Sequence, residues 1–149
     1  MAKGRLLEFG WAEMDRQHKL LVGAIDFLGR SPRQRTSDLV ELRRILQEIK
    51  EHFDWEETQM LLAGYPELGR HKADHHRQLL NLQDLCKLVD EGHETLDADF
   101  FAACSEWNFR HIRSMDADFV LFRDDREAWD LQRELRSWEY EIRLAEHPD

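Results

Sequence analysis

Apolar residues recur every three or four positions along four long stretches of this chain, and on each stretch a histidine or a carboxylate interrupts the apolar line. The first, about Trp11 to Gly29, carries Met14, His18, Leu21, Ile25 and Leu28. The second is expected to open near Asp38, with Glu41 as capping-box partner, and carries Leu42, Leu46, Ile49, Phe53, Glu56 and Met60. Gly64 and Pro66 are expected to end it. The third, about Glu67 to Asp90, carries Leu68, His71, His75, Leu79, Leu82, Cys86 and Val89. The fourth starts near Asp97 and carries Phe100, Cys104, Trp107, His111, Met115 and Phe122, with Ile112, Asp116 and Phe119 on the adjacent line. SPRQRTSD and EGHET break the pattern between stretches. This period is helical, and no alternating strand pattern accompanies it. The expected fold is all-α: an up-down-up-down four-helix bundle with an additional C-terminal helix.

A length of 149 residues fits one domain. Lys+Arg 21 against Asp+Glu 31 leaves a net charge of −10, which argues against nucleic acid and anionic membrane as partners. The N-terminal run is too polar for a signal peptide, and no stretch has the apolar length of a membrane span. Cys86 and Cys104 fall within helical patterns and read as free, buried thiols, so a cytoplasmic location is expected.

Seven residues on the apolar stripes are metal-ligand types: His18, His52, Glu56, His71, His75, His111 and Asp116. A buried ionisable group without a partner costs several kcal/mol, about the range for burying an unpaired polar group or more, so seven together point to a metal centre inside the bundle. His52 and Glu56 are four apart, as are His71 and His75, so each pair shares a helix face. His111 and Asp116 are five apart, about 140° on an ideal helix, and meet one site only through a local π-bulge or a flanking approach. Five imidazoles and two carboxylates exceed the needs of one ion, and this donor set suits iron. Two six-coordinate ions sharing the carboxylates and one solvent oxygen would leave one position open. Apolar neighbours, Phe53, Trp107 and Ile112 among them, favour an uncharged small ligand such as dioxygen there.

The runs DRQH at Asp15 to His18, HFDWEETQM at His52 to Met60, YPELGRHKADH at Tyr65 to His75 and HIRSMD at His111 to Asp116 closely resemble the hemerythrins, in particular the bacteriohemerythrins. The resemblance spans roughly Phe9 to Phe122. It implies two iron ions bridged by carboxylates and an oxo or hydroxo group, with reversible dioxygen binding for storage, delivery or sensing. It implies that His71, His75 and His111 hold the coordinatively saturated iron. His18 and His52 would hold the iron that takes dioxygen, and Glu56 and Asp116 would bridge. Phe53, Trp107, Ile112 and Arg113 are the residues it suggests for the dioxygen pocket. Arg113 departs from the apolar residue often found at its position; pointing inward it would admit water, and otherwise it would extend to solvent. Residues 1–124 are thus expected to form the di-iron bundle and residues 125–149 an amphipathic extension.

Other uses of the pattern bound this expectation. A single histidine on an apolar face is more often a hydrogen-bonded core residue than a ligand; the joint constellation reverses those odds. His76, His93 and His147 are not expected to be ligands. A di-iron oxidase, peroxidase, or nitric-oxide or peroxide detoxifier would favour carboxylate-rich Glu-x-x-His ligation, which is missing here, so a binding protein is expected rather than an enzyme. A redox-dependent regulatory module acting through the C-terminal helix is the other alternative. That helix carries Ala128, Leu131, Leu135, Trp138, Ile142 and Ala145 at heptad-like spacing, suited to packing on its own bundle, to a homodimer or to a protein partner.

Overall fold

The computed structural model describes residues 6–30, 35–93 and 97–146. Among these, every regular element is helical: α1 (Ala12–Arg30), α2 (Arg35–Ala63), α3 (Leu68–Asp90), α4 (Ala98–His111), a π-helical segment (Ile112–Asp116), α5 (Ala117–Asp124) and α6 (Arg126–Glu146). The π segment joins α4 to α5 without a break, so the two act as the fourth long rod of the bundle.

Local sequence sets the ends of these helices. Gly64 takes φ +68° just past α2. Tyr65 N–H reaches back to the Met60 carbonyl at 3.0 Å and Gly64 N–H to that of Leu61 at 3.1 Å, the paired bonds of a Schellman stop. Gly92, at φ +80°, ends α3 in the same way, with His93 N–H bonded to the Leu88 carbonyl at 2.9 Å. Asp97 caps α4 by accepting the Phe100 N–H at 2.8 Å. Before α1, the Asp15 carboxylate accepts the N–H groups of Phe9 and Gly10 at 2.8 and 2.9 Å, which ties down the incoming chain.

The expected start of α2 needs correction. The helix begins at Arg35, so Asp38 lies within its first turn and not at the cap, and Glu41 pairs with Arg44 one turn on. Arg35, Thr36 and Ser37 contain no helix breaker, and the helix extends back through them. Of the expected breaks, residues 31–34 and 94–96 lie outside the described residues, as does His147.

Two apolar clusters fill the bundle. One gathers Leu21, Ile25, Leu42, Ile45, Ile49, Phe53, Leu82, Cys86, Val89, Phe101 and Cys104. The other gathers Met14, Met60, Tyr65, Phe119, Val120, Phe122 and Trp129. Each long rod carries its ligand-type residues between the two clusters. α1 runs from Met14 through His18 to Leu21, and α2 runs the opposite way, from Phe53 through Glu56 to Met60. α3 and the fourth rod alternate likewise, through His71 and His75 to Leu82 and from Cys104 through His111 to Phe119. That alternation is the up-down-up-down order, with α1 packed on α2 and α4, and α2 on α3. The ionisable layer therefore sits in mid-bundle, sealed above and below by apolar side chains.

α6 docks through a face other than the heptad stripe. Trp129 is 1% exposed and packs with Tyr65 and Phe122. Asp118 receives the Trp129 indole N–H at 3.1 Å, the Tyr65 hydroxyl at 2.6 Å and the Arg136 guanidinium at 2.6 Å. Arg133 pairs with Glu67 at 3.0 Å. The first turns of α6 thus belong to the bundle, while Leu131, Leu135, Trp138 and Ile142 stay exposed. No helix among the described residues is long and apolar enough to cross a membrane.

Candidate metal centre

The side chains of His18, His52, Glu56, His71, His75, His111 and Asp116 are all buried in that layer. They form two groups: donor atoms of Glu56, His71, His75, His111 and Asp116 lie within 4.8 Å of one another, and so do those of His18, His52 and Asp116. Asp116 belongs to both. Its Oδ1 lies 3.2 Å from His71 Nε2 and 3.0 Å from His111 Nε2, and its Oδ2 lies 3.2 Å from His18 Nε2. Glu56 Oε2 lies 3.4 Å from both His71 Nε2 and His75 Nε2.

The π segment makes this possible. Ala117 N–H bonds to the Ile112 carbonyl, five residues back, and the widened turn brings Asp116 round to the side of His111. The structure thus resolves the five-residue spacing by the π-bulge and not by approach from the flank.

Several of these atoms are left without a hydrogen-bond partner. Both carboxylate oxygens of Glu56 and of Asp116, and both ring nitrogens of His18, are buried with no hydrogen-bond partner. Their lone pairs share a volume and do not pair off, an arrangement costly for polar groups alone and natural for metal ligands. The spacing of the histidines agrees. His75 Nε2 lies 3.1 Å from His71 Nε2 and 3.0 Å from His111 Nε2. Imidazoles bound at about 2.1 Å would be about 3.0 Å apart as octahedral neighbours and about 3.4 Å apart in a tetrahedron. Both spacings match adjacent positions around a six-coordinate ion.

Three of the rings have their outer nitrogen fixed. His52 Nδ1 donates to Gln17 Oε1 at 2.8 Å, His75 Nδ1 to Glu57 Oε1 at 3.0 Å and His111 Nδ1 to Asp74 Oδ2 at 2.9 Å. A proton held on Nδ1 leaves the Nε2 lone pair free to face the centre. Gln17, Glu57 and Asp74 were not singled out from the sequence. Their signal is adjacency, since they neighbour His18, Glu56 and His75, yet each serves a ring on another helix.

Charge in the metal-free layer is balanced by protons. Burial, with the negative Asp116 alongside, lifts Glu56 to about 7 against the pull of His71. Burial opposes charge on His71, but Asp116 and Glu56 outweigh it and raise the ring to about 9. His111 is likewise raised by Asp116 against its burial. Burial would raise Asp116, yet His111, His18 and His71 hold it well below the ordinary carboxylate range. Burial and neighbouring histidines depress His52 to about 3 and push His75 down as well. Protons here occupy the place that cations would take.

Residues 10–121 match the family model described as Hemerythrin HHE cation binding domain. The chain belongs to the hemerythrin family. A bacteriohemerythrin of Pseudomonas paraeruginosa is 29% identical over 118 residues, covering 76% of this chain and 75% of the relative. One from Methylococcus capsulatus is 29% identical over 76 residues, 51% of this chain and 58% of its own. The fold superposes on a crystal structure of wild-type hemerythrin with a TM-score of 0.69 at 24% identity, covering 75% of this chain and 85% of the other. A crystal structure of a hemerythrin mutant gives 0.72 at 26% identity, covering 83% and 96%. Family and donor set together fit a buried site for two metal ions.

The residues expected around a dioxygen pocket separate. Phe53 stacks on His75, with ring centroids 3.6 Å apart and planes 4° apart, and Trp107 stacks on His111 at 4.8 Å. Both therefore stack at the three-histidine end, although the Phe53 ring also lies 5.8 Å from that of His52. Phe53 turns about 100° from His52 toward α3, and Trp107 lies one turn before His111. Ile112 is buried directly after His111. Arg113 is not brought to the cluster: it is exposed, its guanidinium carbon 5.8 Å from the Phe109 ring, beside Leu6, Leu7 and Glu8. His76 and His93 are also exposed and outside the site. Cys86 and Cys104 are buried free thiols, and burial pushes Cys104 up to about 12.

Proposed function

We propose that the chain binds dioxygen reversibly at a di-iron centre, acting as a binding protein and not as an enzyme. His71, His75 and His111 are assigned to one iron, His18 and His52 to the other, and Glu56 and Asp116 to the bridges. The single observation that carries this is the set of seven side chains buried in one layer, with both oxygens of Glu56 and Asp116 and both ring nitrogens of His18 left without a hydrogen-bond partner. When bound, the two ions supply the electrons that hold dioxygen and release it unchanged. The protein's part is to bind, orient and shield. Gln17, Glu57 and Asp74 keep three rings in one tautomer. Phe53 and Trp107 cover one face each of His75 and His111, beside a cleft of about 440 Å³ lined by Asp74, Trp107 and His111. A cleft of about 250 Å³, lined by Arg16, Gln17, Leu20, Leu21, Glu48, Glu51 and His52, reaches the two-histidine end and gives a small molecule its approach. Two protein rings instead of three on that side leave a position for it.

The test is to load the protein with iron, count metal per chain, reduce it without air, and follow the visible spectrum as dioxygen is admitted and withdrawn. Two irons and a charge-transfer band that comes and goes are expected. Rapid irreversible oxidation would move the assignment to a di-iron enzyme or redox sensor.

Redox-dependent regulation through α6 is favoured by one observation. Asp118, which anchors Trp129 and Arg136 of α6, lies two residues beyond Asp116 on the same rod. Hydrogen exchange of α6 in the iron-loaded reduced and oxidised protein tests it, and identical protection in both states would sink it.

A further inference from the structure

α6 has two unlike faces. Trp129, Arg133 and Arg136 turn to the bundle, where they meet Tyr65, Glu67 and Asp118. About 150° round the helix, Leu131, Leu135, Trp138 and Ile142 form a second face that is 57%, 49%, 63% and 57% exposed. Their spacing of four, three and four residues is that of a coiled-coil seam, about 17 Å long. The positions bordering that seam, which set partner choice in such helices, are Gln132, Glu134, Glu139 and Glu141. Gln132 accepts from Arg136 at 2.7 Å, and Glu139 lies 4.0 Å from the exposed Arg143. Arg133 and Arg136 lie on the opposite face and are engaged with the bundle, and the exposed Arg143, the cation of this helix nearest the seam, lies beyond the bordering glutamates.

The flanks decide the occupant. In a parallel pair of two copies, Glu134 of one helix would face Glu139 of the other; in an antiparallel pair, Glu134 would face Glu141 and Gln132 would face Glu139. Both arrangements set glutamate against glutamate. A helix bordered by lysine or arginine meets the same seam with attraction on both sides. We propose that the outer face of α6 is a docking surface for an amphipathic helix of another protein, one with an apolar seam flanked by basic residues. The surface works against self-pairing and leaves the metal layer untouched, so it stands independently of dioxygen binding.

The test uses the full chain and two synthetic helical peptides of identical leucine seam, one flanked by lysine and one by glutamate. Fluorescence anisotropy of labelled peptide is read against protein concentration, and the chain alone is followed by sedimentation. The lysine peptide should bind at least about tenfold tighter than the glutamate peptide, an advantage that shrinks with salt. The triple variant E134K/E139K/E141K should reverse the preference, and L135E/W138E, which changes only exposed residues, should abolish binding. Equal binding of both peptides would overturn the proposal. So would binding that survives L135E/W138E, which would trace it to the general acidity of the chain. A dimer of the chain alone that W138E dissolves would assign the face to a second copy and overturn it as well.

Discussion

The two ends of the ionisable layer are built differently. At the three-histidine end, His75 and His111 donate to carboxylates, Glu57 and Asp74, and lie under the rings of Phe53 and Trp107. At the two-histidine end, His52 donates to the neutral amide of Gln17, and a cleft runs beside it to the surface. A carboxylate behind an imidazole makes it a stronger donor than an amide does. The aromatic cover is partial, because a cleft of about 440 Å³ lined by Asp74, Trp107 and His111 opens beside this end too. The first end thus has more and stronger donors and the second fewer, which is the basis for proposing that the second takes the exchanging ligand. Asp116 is the residue the two ends share, which makes it the place where the comparison can be broken outright. Asp116→Ala should drop metal content from two irons per chain to less than one, measured by metal analysis after gel filtration. Retention of two irons would mean that the bridge is elsewhere.

Removing the ring stacked on His75 should have the next largest effect. Phe53→Ala removes a ring that is 3% exposed and stacked on His75, and is expected to cost about 3–5 kcal/mol of stability. It should also hasten irreversible oxidation of the iron-loaded protein, since water gains the space the ring held. A loss under about 1 kcal/mol in denaturant titration would show that the ring is not a packed part of the core.

The outer hydrogen bonds offer a finer contrast. Asp74→Asn and Glu57→Gln should each weaken metal binding by about 10–100-fold, because each replaces a charged acceptor by an amide. Burial works against the Asp74 carboxylate, yet Arg77 and His111 hold it below the usual range, so it is ionised whenever the metal competes for His111. Gln17→Ala removes a neutral acceptor and should weaken affinity less. Equal losses at both ends in a chelator competition would erase the distinction between them.

Much of this was legible in the chain. The four rods and their antiparallel order follow from apolar spacing, and the seven donors follow from ionisable residues standing on those stripes. The Schellman stop at Gly64 was readable from glycine followed closely by proline. The π segment was not, because nothing in IRSMD forces a widened turn; the spacing of His111 and Asp116 only requires one if both serve one site. Asp74, Glu57 and Gln17 escaped because their partners lie on other helices, a tertiary fact that helical periodicity does not carry. The docking of α6 was left open for a related reason. The conspicuous heptad stripe faces solvent, while a single tryptophan and two arginines, an unremarkable pattern in sequence, make the contact.

Proton competition should sharpen the comparison further. In the metal-free protein at neutral pH, His71, raised to about 9, is protonated and Glu56, near 7, is partly so. Both must lose their protons to bind a cation, so affinity should climb with pH by about tenfold per unit for each proton displaced and level off above about 9. The dependence belongs mainly to the three-histidine end, because His52, depressed to about 3, is already neutral. Chelator competition across this range, repeated on a His52→Ala variant, should show the slope retained. A flat profile would mean that the layer is deprotonated before metal arrives.

The smallest expected effect concerns Arg113. By chain position it is next to a buried isoleucine and two residues from a donor histidine, close enough that an inward side chain would bring charge and water into the layer. The π segment, however, turns Ile112 and Asp116 inward and leaves Arg113 exposed over Phe109, on the side facing Leu6 to Glu8. A charge there is screened by solvent and separated from the donors by the backbone of the fourth rod. Arg113→Leu should therefore leave the oxidation rate of the iron-loaded protein unchanged within about twofold, under 0.5 kcal/mol as for most surface substitutions. A marked slowing, read from the decay of the visible band in air, would place the guanidinium in contact with the layer and require the π segment to rotate.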